Sequence, residues 1–215
     1  MKNLNDSQIL KTGTTTVGLV CKDCVILAAD TRATAGSLIV NNDVDKVLEI
    51  TPHMALTMAG NVSSIQMLVK YLKSELELRK IQLGRDSTVK ETVTLLSTWV
   101  YGLIRKPAMM PEVAHLLFAG FDKHGFHLYD IFPDGSLTKE QNYVSSGSGS
   151  VYAYGVLENQ YKSEMSQEDG IALAEKCIDA AIQRDVASGN GMNIFLINKD
   201  GARKIMSKRV NTHLQ

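Results

Sequence analysis

Apolar and polar positions change period several times along the chain, and each change marks an element. Residues 14–20 (TTTVGLV) form a β-branched stretch and 24–30 (CVILAAD) a second apolar run, so the Lys22-Asp23 turn between them predicts a hairpin. Another strand pair, 45–50 and 54–59, is split by Thr51-Pro52-His53, where proline supplies the break. From Asn61 the period lengthens. Val62, Ile65, Leu68, Val69, Leu72 and Leu76 recur at three- and four-residue steps, with Lys70, Lys73, Glu75 and Lys80 opposite, which is an amphipathic helix. Residues 88–104 repeat the pattern through Val89, Val93, Leu96, Val100 and Leu103, with Asp86 or Ser87 as the expected cap and Lys106-Pro107 as the stop.

Strand composition returns at 114–122 and 125–132 around a Lys123-His124-Gly125 turn, followed by a tight turn at Pro133-Asp134-Gly135; this predicts the start of a second sheet. After the small residues 145–150 come helical segments at 151–161 and 167–185, the latter expected to bury Ile171, Ala174, Ile178 and Ile182. Residues 193–198 and 202–207, split by Lys199-Asp200-Gly201, predict a last hairpin. Strands and helices segregated in this order imply an α+β sandwich, two stacked antiparallel sheets with helices outside, and not a βαβ fold.

Composition narrows the function classes. A chain of 215 residues fits one domain. Lys plus Arg balances Asp plus Glu at 23 each, which leaves no cationic excess to drive nucleic-acid binding. Residues 1–13 lack the apolar core of an export signal, and no run approaches the ~20 apolar residues of a membrane span, so a cytoplasmic location is expected. Three cysteines suit reduced thiols better than a disulfide framework. Cys21-Lys22-Asp23-Cys24 has metal or redox spacing, but no second pair completes it and it falls in a hairpin turn. The five histidines, His53, His115, His124, His127 and His213, show no metal spacing, and Cys177 falls on the apolar face of a helix. Ser146–Gly147–Ser148–Gly149–Ser150 has the small residues of a phosphate cradle without the following Gly-Lys-Ser/Thr, so no nucleotide, metal or other cofactor is expected.

The chemistry concentrates at Gly13-Thr14. A threonine hydroxyl is a poor nucleophile until a base takes its proton, and a terminal α-amine of pKa about 7.7 to 8.0 is such a base, tethered to the same residue. Glycine before the threonine permits the tight backbone through which the hydroxyl reaches the preceding carbonyl. GTTTVGL is followed by AADTRAT (28–34), DK (45–46), MAG (58–60), SGSGS (146–150) and RDVASGNG (184–191). Together these motifs resemble those of proteasome β-type subunits, the archaeal single catalytic type most of all, from Gly13 to about Ser207.

That resemblance implies an N-terminal nucleophile hydrolase fold, a four-layer αββα sandwich, with 1–13 as a leader and 14–215 as one catalytic domain. It implies a threonine endopeptidase, self-cleaved at Gly13-Thr14. Thr14 aligns with the nucleophile, Lys46 with the lysine whose charge lowers the pKa of the hydroxyl and amine, and Asp30 with the carboxylate that orients the lysine. Archaeal relatives often carry glutamate at the Asp30 position. Gly60 aligns with the oxyanion donor, and Ser148, Asp185 and Ser188 with the network around the amine. Ala33, Val44, Leu48, Met58 and Val62 align with an apolar, uncharged specificity pocket, and Thr34 and Gly60 with backbone contacts to substrate. The implied preference is chymotrypsin-like. Implied partners are other β-type subunits in seven-membered rings, α-type rings, a regulatory ATPase and unfolded protein substrates, with no nucleic acid and no membrane. Two other readings remain: a ring member retained as precursor for assembly, against which intact Thr14, Asp30 and Lys46 stand, and another N-terminal-nucleophile amidohydrolase, against which SGSGS and RDVASGNG stand.

Overall fold

A computed structural model describes residues 13–107 and 113–210. Residues 1–12 of the expected leader, and His213, lie outside the described residues. In chain order the elements are β1 (Thr15–Val20), β2 (Val25–Asp30), β3 (Ala33–Ala35), β4 (Leu38–Asn41), β5 (Val47–Thr51), β6 (Met54–Thr57), β7 (Ala59–Gly60), α1 (Val62–Leu83), α2 (Val89–Ile104), β8 (Ala114–Asp122), β9 (Gly125–Ile131), β10 (Leu137–Glu140), β11 (Tyr143–Gly147), α3 (Ser150–Gln160), α4 (Gln167–Ile182), β12 (Gly191–Asn198) and β13 (Gly201–Arg209).

Two antiparallel sheets stack face to face, ordered β11-β1-β2-β12-β13 and β10-β9-β8-β6-β5. The expected division of the chain into a first and then a second sheet is wrong. The hairpin β1–β2 pairs with β11 and β12 from the far end of the sequence, whereas β5–β6 joins β8–β9. Hydrophobic period identifies strands but not their non-local partners.

Alternation along the strands builds three apolar layers. Ile26 and Ala28 of β2 face α3 and α4, while Val25, Leu27 and Ala29 face the other sheet. On β8, Leu116 and Phe118 face α1 and α2, and Leu117 and Ala119 meet the β2 face from the opposite side. The result is the α+β, αββα arrangement. Gly18 lets β1 approach the second sheet closely, since a Cβ there would fall 2.8 Å from Leu128 Cδ1.

Several local expectations are corrected. Thr88 caps α2 in place of Asp86 or Ser87: its hydroxyl accepts the Glu91 N–H, and Glu91 accepts the Thr88 N–H, a capping box that Thr-x-x-Glu encodes. The 54–59 strand breaks at Met58, whose N–H bonds the Lys46 carbonyl. Residues 143–147 form a strand against β1, where only small residues and a turn were expected. β3, β4 and β10 were not anticipated either. α4 stops at Ile182 and buries Leu173, Ala174, Cys177, Ile178 and Ala181, leaving Ile171 and Ile182 half-buried, because the helix is rotated toward β1 and β2. Among the described residues no helix is long and apolar enough to cross a membrane.

Leu117 is fully buried between the sheets. Leu117→Ala is expected to cost about 2 to 5 kcal/mol in denaturant unfolding, and a loss below about 1 kcal/mol would mean that the sheets share no tightly packed interface.

Candidate active site

Thr14 sits one residue before β1, at the end of the sheet where β1 lies between β11 and β2. Backbone crowding fixes its place. Gly147, at φ +92°, lies so close that a Cβ would fall 2.0 Å from the Thr14 carbonyl oxygen, and a Cβ on Gly13 would strike Ala187. Glycine is required at both positions.

Asp30, at the end of β2, is fully buried. Its Oδ1 accepts the Thr15 N–H at 2.9 Å and the Lys46 ammonium at 2.8 Å; its Oδ2 accepts the N–H groups of Arg32 at 3.1 Å and Gly189 at 3.0 Å. Lys46 is 4% exposed. Burial pushes its pKa below the ordinary 10.5, with Asp30 pulling in the opposite direction. The stretch leading to Lys46 is tied to the last strands: Asp45 accepts from Asn193 at 2.8 Å and from Lys204 at 2.5 Å, and Asp43 pairs with Arg209.

Two donors converge on the Gly13 carbonyl oxygen, the Thr14 hydroxyl at 2.6 Å and the Lys46 ammonium at 3.4 Å. This polarises the carbonyl beside the candidate nucleophile. On the other flank, Ser148 Oγ accepts the Thr14 N–H at 3.3 Å and donates to Asp185 Oδ2 at 2.6 Å, and Ser188 Oγ donates to the same carboxylate oxygen at 2.7 Å. Thr14, Asp30, Lys46, Ser148, Asp185 and Ser188 therefore meet in one cluster drawn from widely separated segments.

A cleft beside Thr14 is walled by Ala33, Thr34, Val44, Met58, Gly60 and Val62. Thr34 Oγ1 accepts the Gly13 N–H at 3.1 Å. Gly60 is at φ +121°, and a Cβ there would lie 2.2 Å from the Val113 carbonyl oxygen, so no other residue fits without moving the backbone. Leu48 is not among the residues that wall this cleft; it packs half-buried against the apolar cluster under α1 and α2 that also holds Val44 and Met58 of the wall, so it stands behind the cleft. The wall also includes Arg32 and Lys46, which corrects the expectation of an uncharged lining. Both cations are engaged, Lys46 by Asp30 and Arg32 by Asn190 Oδ1 at 2.6 Å and the Val186 carbonyl at 2.8 Å.

Sequence reasoning missed Gly147 and the backbone donors of Thr15, Arg32 and Gly189. Any residue except proline supplies an N–H, so those donors carry no residue-type signal; for Gly147 the alternating Ser-Gly run was the available clue, read only as a turn. Cys21 and Cys24 close the β1–β2 turn at the opposite end of β1 from Thr14, both buried and unlinked. Among the described residues, His, Cys, Asp and Glu form no metal-binding group of three or more. His115 and His127 pair with Asp130 and Asp122.

A family model described as "Proteasome subunit" matches residues 10–197. The chain is 42% identical over 192 residues to proteasome subunit beta 2 of Pyrococcus furiosus, covering 89% of this chain and 90% of that relative. It is 38% identical over 199 residues to proteasome subunit beta of Methanocaldococcus vulcanius, covering 92% and 87%. Against proteasome subunit beta of Haloquadratum walsbyi, identity is 41% over 191 residues, covering 89% and 76%.

Removing the ammonium in Lys46→Met leaves Asp30 buried on backbone donors alone and is expected to cost about 3 kcal/mol at neutral pH in urea unfolding. Because the lysine's pKa is lower folded than unfolded, the unfolded chain binds more protons between that lowered value and 10.5, and stability rises with pH there. The stability difference between the wild-type chain and Lys46→Met should grow across that window; a flat difference would contradict the buried-lysine assignment.

Proposed function

The chain belongs to the proteasome subunit family, and from that premise we propose that it is a β-type core-particle subunit, a threonine endopeptidase whose nucleophile is Thr14. The observation that carries this reading is the convergence of the Thr14 hydroxyl and the Lys46 ammonium on the Gly13 carbonyl oxygen. Two steps use the same atoms. In maturation the Thr14 oxygen adds to the Gly13 carbonyl carbon, the Gly13–Thr14 C–N bond breaks, and the nitrogen leaves as a protonated amine; water then hydrolyses the ester, releasing the leader's carboxylate. Thr14 is left with a free α-amine.

In turnover that amine takes the hydroxyl proton, directly or through water, as the oxygen attacks the scissile carbonyl. Lys46 lowers the pKa of both groups by its charge, and Asp30 holds it in place. Gly60 supplies a backbone N–H to the oxyanion, a donor whose loss typically costs about 3 to 4 kcal/mol in such sites. Ser148 orients the amine by direct contact with the nitrogen, and Ser188 acts on it through the Asp185 carboxylate that both serines share. The amine proton then passes to the leaving nitrogen, and water cleaves the acyl-enzyme.

The cleft offers only about 30 Å³ beside Thr14, room for about one water while Gly13 is in place. Entry of a large apolar side chain therefore requires Met58, an adaptable side chain, to change rotamer. The wall carries no unengaged charge, which supports a chymotrypsin-like preference through the cost of burying an unpaired acid or base. Assembly into rings with α-type subunits suits the exposed apolar side chains Leu38, Ile39 and Val40 on β4 and Tyr71, Leu78 and Ile81 on α1, which a lone protomer leaves in water. A seven-membered β ring, a cytoplasmic location, an ATPase that delivers substrate and unfolded proteins as that substrate belong to the same reading.

Coassembly with α-type subunits should shorten this chain by residues 1–13, read as intact mass. Thr14→Ala is expected to retain the leader and abolish peptide hydrolysis, and Thr14→Ser to keep part of both; an active alanine variant would sink the proposal. Fluorogenic peptides ending in Leu, Phe or Tyr should be cut at least about tenfold faster than those ending in Glu or Arg, and the reverse order would overturn the preference.

A further inference from the structure

The site divides into two hydrogen-bonded halves, one around Asp30 and Lys46 and the other around Asp185, Ser148 and Ser188. One residue touches both. Thr15 is fully buried, its N–H donates to Asp30 Oδ1 at 2.9 Å, and its Oγ1 lies 2.7 Å from Ser188 Oγ. Ser188 spends its proton on Asp185 Oδ2, so its oxygen is the acceptor and Thr15 the donor. The sequence keeps space for this hydroxyl, since a Cβ on Gly149 would fall 2.0 Å from Thr15 Oγ1. Thr15 does not line the cleft beside Thr14, so its side chain has no route to substrate.

We propose that Thr15 is a positioning residue that sets the proton balance of the Thr14 amine through Ser188 and Asp185; this rests on Thr14 being the nucleophile. The chain of donors runs Thr15 to Ser188 to Asp185, and Ser148 joins the same carboxylate oxygen to the Thr14 nitrogen. A hydroxyl that itself receives a hydrogen bond is a stronger donor, so Thr15 reduces the charge that Asp185 presents toward Ser148 and the amine. Without it, Asp185 holds the ammonium form more tightly and less free amine is present to act as base. The other charged groups gathered around Thr14 are Asp30 and Lys46 on the opposite flank and Arg32 on the cleft wall. Thr15→Val leaves them in place, because the Thr15 contact to Asp30 is through the backbone.

Thr15→Val keeps the branched shape and removes the donor. In the assembled particle it is expected to lower kcat about tenfold, leave KM within about twofold, and move the acidic limb of the pH profile to higher pH. Thr15→Ser should restore both rate and limb. Ser188→Ala breaks the link from the other side and should shift the limb in the same direction; adding Thr15→Val to it should move the limb no further. An unmoved limb in Thr15→Val, or in Ser188→Ala if the valine variant fails to assemble, would overturn the proposal. So would a serine variant as impaired as the valine. Leader loss and hydrolysis by the wild-type particle report on the nucleophile separately, so the two assignments fail independently.

Discussion

Asp30 is wholly buried, and its two oxygens take up hydrogen bonds from four parts of the chain: the start of β1, the link between β2 and β3, the loop before β5 and the loop before β12. Pairs of this kind add little net stability, since the desolvation of both partners offsets much of their attraction. What the pair supplies is position. A buried lysine with one carboxylate partner cannot wander, and its ammonium is held against the carbonyl next to the Thr14 hydroxyl. Loss of either partner would leave a charge where water does not reach, so geometry and charge are enforced together.

The sheet topology makes this convergence possible. β1 and β2 are a local hairpin, but they are flanked by β11 and β12, which deliver Ser148 on one side and the Asp185–Ser188 turn on the other. Lys46 arrives from the second sheet, where Asp45 and Asp43 anchor its approach to β13. The three apolar layers fix how the sheets and helices stack, and the site occupies the end of that stack, where glycines at 13, 60 and 147 allow backbones to approach more closely than side chains permit.

Much of this was legible in the sequence, unevenly. The helices and long strands showed themselves through apolar period, because α1 and α2 each bury one face and β2 and β8 are covered on both. The allocation of strands to sheets did not, since β1 pairing with β11 depends on contacts far apart in sequence. Short β3 and β10, half-buried, and β4, exposed throughout, carry too few buried positions to leave a pattern. Thr14, Asp30, Lys46, Ser148, Asp185 and Ser188 were named through resemblance, not through period or spacing, because each alone is an ordinary surface-type residue. Leu48 belongs to the cleft wall by the same resemblance, yet it packs in the apolar cluster behind Val44 and Met58, and Thr15 escapes notice because a threonine in a β-branched run looks like strand composition.

The central claim is that the Thr14 hydroxyl, and no other side chain, forms the bond to the substrate carbonyl. Its most direct test is to treat the assembled particle with an electrophilic peptide inhibitor and locate the adduct by peptide mass spectrometry. The account predicts a single modification on Thr14 as the first residue of the mature chain. An adduct on any other residue, with Thr14 unmodified in an inhibited particle, would contradict it.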